Sequence, residues 1–498
     1  MGYIKGQCRS QILLLPEALD DYITEENPVR VIDAYVDSLN LSEHGIKAEP
    51  AETGRPPYNP QDMLKLYIYG YFNKLRSSRR LEAETHRNME LIWLMSKLTP
   101  DHKTIARFRK ENAKALKNIF HSFVKLCRKL GLYGCELIAI DGSKFKAVNS
   151  LENNYNHEKL DDRLKRIDEK LEEYFSELDA NDDIEAAVRK NTKSEIEAAI
   201  SELSARKETY EGLKVRLDET NQTQISTIDP DARRMKQADG SSDVCYNVQT
   251  AVDAKNKMIV DYNVTNNCND KNLLSPMVAS AKEVLEVEGI TALADTGFFV
   301  ATDIAECITN GDTVHVSNEH ESITMCIPVL PEEAAEAVKP QDFENTGKNV
   351  FIKERNLGLC PMGAVLYPVS YRKSKGAAIY SNRKACKDCP HRENCKEYDR
   401  ELQVKMHPDD FTKEYNDKNL GIKQIIYSPD RTLLPKRKEL VEHPFGTLKR
   451  SMDSAYCLLK GIKNVCGEFA LSFLVYNLKR AINILGINGL LKGIKLFA

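Results

Sequence analysis

No run of 18 apolar residues occurs in the 498-residue sequence, so no membrane-spanning helix is expected. The opening stretch, MGYIKGQCRSQILLLPEALDDY, has only a short apolar run and no small-residue cleavage site, so no secretory signal is expected. Net charge is nearly absent, at −3. Thirteen cysteines are an odd number and most stand alone, which fits reduced thiols in a cytosol. What remains is a cytoplasmic globular protein, too long for one ordinary core and expected to form two to four domains. The small total charge hides an asymmetry. Residues 55–130 hold 17 Lys/Arg against 6 Asp/Glu, and residues 431–498 hold 12 against 4. Two separated basic regions point to a polyanion partner.

In Glu136-Leu-Ile-Ala-Ile-Asp141-Gly-Ser-Lys-Phe-Lys146, residues Leu137, Ile138 and Ile140 read as a buried strand ending in an acid, with Gly142 next. A carboxylate leaving a buried strand is costly unless a metal, a cation or water receives it. An Asp that merely opens a turn has the same pattern. Ile290-Thr-Ala-Leu-Ala-Asp295-Thr-Gly297 repeats the theme. Between them, Cys245–Asp253 alternates, Lys255-Asn256 breaks the run, Met258–Val264 resumes it, and a helix follows from Leu273 to about Val287. Strand-acid, hairpin, helix, strand-acid is the order of a ribonuclease H-like α/β fold, whose central strands set two acids side by side. Carboxylates that close raise each other's pKa unless a divalent cation lies between them.

From Asn27 to about Leu132 the pattern is helical. Leu98-Thr-Pro-Asp-His102 predicts a helix start with Thr99 as N-cap and Pro100 first in the helix. That helix sets Lys103, Arg107, Arg109 and Lys110 around Ile105 and Phe108, as a DNA-recognition helix would, or equally a solvated basic face. Leu160, Leu164, Ile167, Leu171, Tyr174 and Leu178 make a coiled-coil seam, and residues 152–218 read as a helical hairpin. Its 19 acidic against 12 basic residues make a poor DNA surface. Cys360, Cys386, Cys389 and Cys395 follow a C-x25-C-x2-C-x5-C pattern, with His391 as a substitute ligand. Structural zinc is expected there; a redox pair or free thiols would look the same. Near the end, a helix through Glu442 would bring Lys438 and Lys449 near its face, with Arg437 and Arg450 beside them. An ordinary i,i+4 ion pair is the plain alternative. Pro444 and Gly446 weaken any such helix.

GRPPYNPQDMLKLYIYGYFNKLRSSRRLE and LTPDHKTIARFR closely resemble the N-terminal domain of bacterial insertion-sequence transposases of the DDE type. TIDPDARRM, CYNVQTAVD, VTNNCND and ADTGFF resemble the same family segment by segment, although Phe298 stands where Tyr is commoner. VEHPFGTLKR resembles the signature around the family's third acid. That signature spaces Tyr, Arg, Glu and Lys; here Glu442 and Lys449 match, Lys438 takes the Arg place, and Pro435 stands where Tyr would be. The resemblance implies that Asp141, Asp295 and Glu442 are catalytic and hold magnesium or manganese. Two such ions, about 3.5–4 Å apart, would serve an in-line displacement. It also implies binding to the element's terminal repeats and to target DNA, with two chains bringing two ends together on the nucleoid. Residues 1–133 are then a helical DNA-binding domain, and 134–151, 219–317 and 426–498 form the catalytic domain. Residues 152–218 and 318–425 are inserts, the second carrying the cysteines. A transposase-derived binding protein without chemistry and a stand-alone nuclease of the same fold are the rivals.

Overall fold

The computed structural model describes residues 18–47, 56–181, 193–220, 222–237, 239–316, 323–328, 350–352, 357–360, 365–372, 376–382, 386–387, 401–405, 422–427, 430 and 432–497. They form a mixed α/β protein with a mixed sheet and a helical N-terminal region. Two compact units divide the chain. One comprises residues 1–134, 141–269 and 441–498, and the other residues 135–140 and 270–440.

Among the described residues, unit one begins with a 3-10 turn (Leu19–Tyr22) and six α-helices: α1 (Pro28–Asp37), α2 (Pro60–Phe72), α3 (Ser78–Thr85), α4 (Met89–Leu94), α5 (His102–Glu111) and α6 (Ala113–Lys129). Asn27 and Asn59 cap α1 and α2, each accepting a backbone N–H, and Pro28 and Pro60 take the first helical position. That position has no intrahelical partner to lose. β1 (Leu137–Lys146) straddles the division. β2 (Asn154–Tyr155) pairs with β3 (Ile225–Ser226) at the base of two long helices, α7 (His157–Asn181) and α8 (Lys193–Thr220). Leu160, Leu213 and Leu217 are buried between these helices, and Lys214–Asp161 and Lys207–Asp168 ion pairs cross from one to the other. β4 (Arg233–Lys236) and β6 (Ile259–Thr265) both run antiparallel to β5 (Ser242–Asp253), and the second half of β1 lies beside β5.

In unit two, the first half of β1 runs parallel to β7 (Thr291–Ala294), with α9 (Leu274–Leu285) before it and α10 (Ala301–Thr309) after it. β8 (Thr313–Val316) is parallel to β7. Asp303 accepts the Leu274 and Ser275 N–H groups and so fixes the start of α9. β9 (Ile323–Pro328) pairs with the late strand β15 (Ile422–Tyr427). Between them, β10 (Val350–Ile352), β11 (Leu357–Leu359), β12 (Val365–Arg372), β13 (Ala377–Ser381) and β14 (Glu401–Lys405) form an antiparallel sheet. α11 (Leu434–Gly446) crosses the division after Leu440; a π-turn (Thr447–Ser451) and α12 (Ile462–Phe497), which is broken by a kink at Gly486, complete unit one.

α12 is the spine of unit one. Phe469 and Phe473 stack on each other and meet Phe145, Phe120 and Tyr262. Asn477 holds both backbone groups of Ile259 and the Tyr133 hydroxyl, which anchors α12 on β6. At Gly467 the helix passes so close to α6 that a Cβ would sit 2.7 Å from the Cα of Ala113. Deeper still, Arg76 and Glu468 form an ion pair with side chains 5% and 2% exposed. Arg76 also donates to the carbonyls of Asp453 and Tyr456, while Glu468 accepts from the Leu458 and Leu459 N–H groups.

Removing one member of a buried pair strands the other charge. Arg76→Ala or Glu468→Ala is therefore expected to destabilise unit one by about 3–5 kcal/mol. Urea unfolding followed by fluorescence of Trp93, the single tryptophan of the chain and a member of unit one, measures this.

Candidate active-site acids and DNA-facing residues

Ile138, Ala139 and Ile140 are fully buried and Asp141 is half-buried. The strand does not end at the acid, as the apolar run implies. β1 continues to Lys146 because Phe145 has a buried seat against Phe445 and Phe469. Asp141 Oδ1 accepts the Gly142 N–H at 2.9 Å.

Asp295, in contrast, stands directly after β7, where the short apolar run placed it. It caps a short 3-10 turn, Thr296–Phe298, with Oδ1 2.9 Å from the Gly297 nitrogen. Its other oxygen is 3.8 Å from Arg437 Nη1. A second acid, Asp270, shares this turn. A Cβ on Gly297 would lie 3.0 Å from Asp295 Oδ1 and 3.3 Å from Asp270 Oδ2, so a side chain there crowds both carboxylates. Asp270 lies in the VTNNCND segment and carries no spacing signal of its own.

Glu442 is exposed on α11, whose Val441, Pro444 and Phe445 are buried. The helix ends at Gly446, and a wider π-turn follows in place of continued 3.6-residue winding. Lys449 therefore does not simply repeat the face of Glu442 two turns on. Its ammonium donates to Ser143 Oγ at 2.7 Å and to the Lys144 carbonyl at 3.1 Å, and lies 4.7 Å from the Phe145 ring. Burial holds the Lys449 amine below the usual lysine range, against an upward pull from Cys245 and Asp141. Lys438 and Arg450 are exposed, whereas Arg437 is only 13% exposed.

On α5, Lys103, Arg107 and Lys110 are exposed. Arg109 is not part of that face: it is 4% exposed, donates to the Tyr71 hydroxyl at 2.9 Å and lies over the Tyr67 ring. Its position four residues after the buried Ile105 puts it on the inner side. The helix start also differs from the expected Thr99–Pro100. Asp101 is the N-cap, accepting from the Lys103 and Thr104 N–H groups, and His102 begins the helix.

The TIDPDARRM segment works on α12. Asp229 accepts from Gly461 N–H and from the Tyr246 hydroxyl, and Asp231 accepts from Ile462 N–H. Cys360 and Cys386 are half-buried; Cys389, Cys395 and His391 lie outside the described residues. Among the described residues no group of three or more His, Cys, Asp or Glu side chains is gathered to hold a metal ion. Asp141 and Glu442 belong to unit one, and Asp295 to unit two. No helix among the described residues is long and apolar enough to cross a membrane.

Two family models match the chain. One, a transposase domain, covers residues 17–111 and thus α5. The other, a transposase DDE domain, covers residues 359–482 and thus Glu442 and Lys449. Both matched families are transposase domains. Together they support a DDE-type transposase of an insertion sequence, which the chain resembles over these residues. Neither a curated protein nor a solved structure matches it.

Arg109→Ala removes a buried, hydrogen-bonded charge and is expected to cost about 1.5–3 kcal/mol of stability. Lys103→Ala and Arg107→Ala should stay within about 0.5 kcal/mol of the parent in the same urea titration.

Proposed function

We propose that this protein cleaves DNA at the ends of an insertion sequence and joins the freed 3′-hydroxyls to target DNA. The observation that carries this reading is Lys449. It lies seven residues after Glu442, inside the DDE match, and it is hydrogen-bonded to Ser143 and Lys144, just after Asp141. The segment of the third acid is thereby tied to the strand of the first. Parallel β1, β7 and β8 in one unit and the antiparallel β4, β5 and β6 in the other support a ribonuclease H-like arrangement.

Asp141, Asp295 and Glu442 are the catalytic acids in this proposal. Their donors are hard carboxylate oxygens, each on a half-buried or exposed residue that follows a buried one, which fits magnesium or manganese in kind. When bound, such ions supply Lewis-acid stabilisation and a more acidic water or hydroxyl. The protein's share is to hold the carboxylates and to grip the phosphates. Lys103, Arg107 and Lys110 on α5, with Lys438 and Arg450 near Glu442, are exposed cations for that grip. Lys449 keeps its segment against β1. Two chains on a pair of DNA ends, working on the nucleoid, complete the proposal.

Asp141→Asn, Asp295→Asn and Glu442→Gln should each leave end binding intact in a gel-shift titration and abolish metal-dependent cleavage. Cleavage retained in one of them removes that residue from the site. Joining to a supercoiled target distinguishes a transposase from a nuclease, which would only nick it. Binding without any cleavage by the unaltered chain would mark a protein that has lost its chemistry.

Each of Lys103→Ala, Arg107→Ala and Lys110→Ala should also reduce the slope of log affinity against log salt by about 1. Slopes in all three that equal the unaltered chain's would take α5 off the DNA.

A further inference from the structure

We propose that Arg437 is a built-in counter-cation for Asp295, balancing its charge in the metal-free protein and yielding to a divalent ion. This rests on Asp295 being a metal-binding acid. The two residues belong to the same compact unit, with Arg437 Nη1 3.8 Å from Asp295 Oδ2. Arg437 is 13% exposed and Asp295 38%, so the guanidinium approaches from the protein side and leaves the carboxylate open to water. The separation exceeds the roughly 2.7–2.9 Å of a tight charge-assisted hydrogen bond, which makes the contact a balance of charge rather than a clamp. Asp270 adds a second carboxylate at the same turn, since both acids border the space above Gly297. Asp270 thus stands on the same side of the turn as Asp295, with Arg437 beside Asp295.

Lys438 cannot take this part from its place on α11. Successive helical residues project about 100° apart, and Lys438 is exposed. Lys438 stands in the place where the resembled family has arginine, whereas Arg437 is the residue that lies beside Asp295.

A fixed positive charge beside a carboxylate opposes cation binding there. By Coulomb's law in high dielectric, removing a unit charge about 5 Å from a divalent ion strengthens binding roughly tenfold. Calorimetric titration of Mn2+ into the full chain without DNA tests this independently of cleavage. Arg437→Ala should bind Mn2+ roughly tenfold more tightly, by the same Coulomb estimate. Arg437→Lys should remain close to the parent. The gain should vanish in Arg437→Ala/Asp295→Asn. Arg437→Gln, which keeps most of the side chain's bulk, serves if the alanine variant does not fold. Equal or weaker binding in Arg437→Ala and Arg437→Gln, or a gain that survives Asp295→Asn, overturns the role of Arg437 alone. If the parent shows no Asp295-dependent Mn2+ binding, the metal-site reading itself falls, and this inference with it.

Discussion

Burying Arg76 against Glu468 is the constraint on which unit one depends. Two charges removed from water are tolerated when hydrogen bonds meet most of the donors and acceptors around them, and in this pair Arg76 Nε is a buried donor left unmet. Here the guanidinium reaches the carboxylate and the carbonyls of Asp453 and Tyr456, while the carboxylate takes two backbone N–H groups from the loop before α12. One pair therefore fixes three things: the turn after α2, the loop after the π-turn, and the first turns of α12. Arg109 completes the inner layer by donating to the Arg76 carbonyl and to Tyr71. The helices at the front of the chain share a core with the last helix, more than 300 residues away.

The same economy governs the candidate site. Lys449 could not hold β1 if α11 simply wound on past Gly446; the π-turn delivers its ammonium to Ser143 and Lys144. A lysine expected to serve DNA is thus engaged by the protein. The exposed cations Lys438 and Arg450 are the freer candidates for phosphate.

Much of this was legible because burial leaves a period in the sequence. The β5–β6 hairpin, α9 and the short strand before Asp295 came from alternation and apolar runs. Arg109 was also readable in principle, because its i+4 relation to Ile105 marks the inner face, yet its charge argued for the outer one. Asp101 outcompeted Thr99 as a cap because its carboxylate meets two N–H groups at once. The length of β1 depended on a seat for Phe145 made by Phe445 and Phe469, more than 290 residues on. The approach of Arg437 to Asp295 and the sharing of a turn by Asp270 are likewise tertiary facts, and no spacing in the chain records them.

The close seat of Gly467 on Ala113 has an evolutionary corollary. An exchange that swapped the first hundred or so residues between related elements would carry one wall of this joint and leave the other behind. Ala113 and Gly467 must then be inherited as a matched pair. Recombination that joins the front helices of one chain to the last helix of another is free only where it spares that joint, so change should spread more readily through point substitutions on exposed faces than through exchange of whole segments.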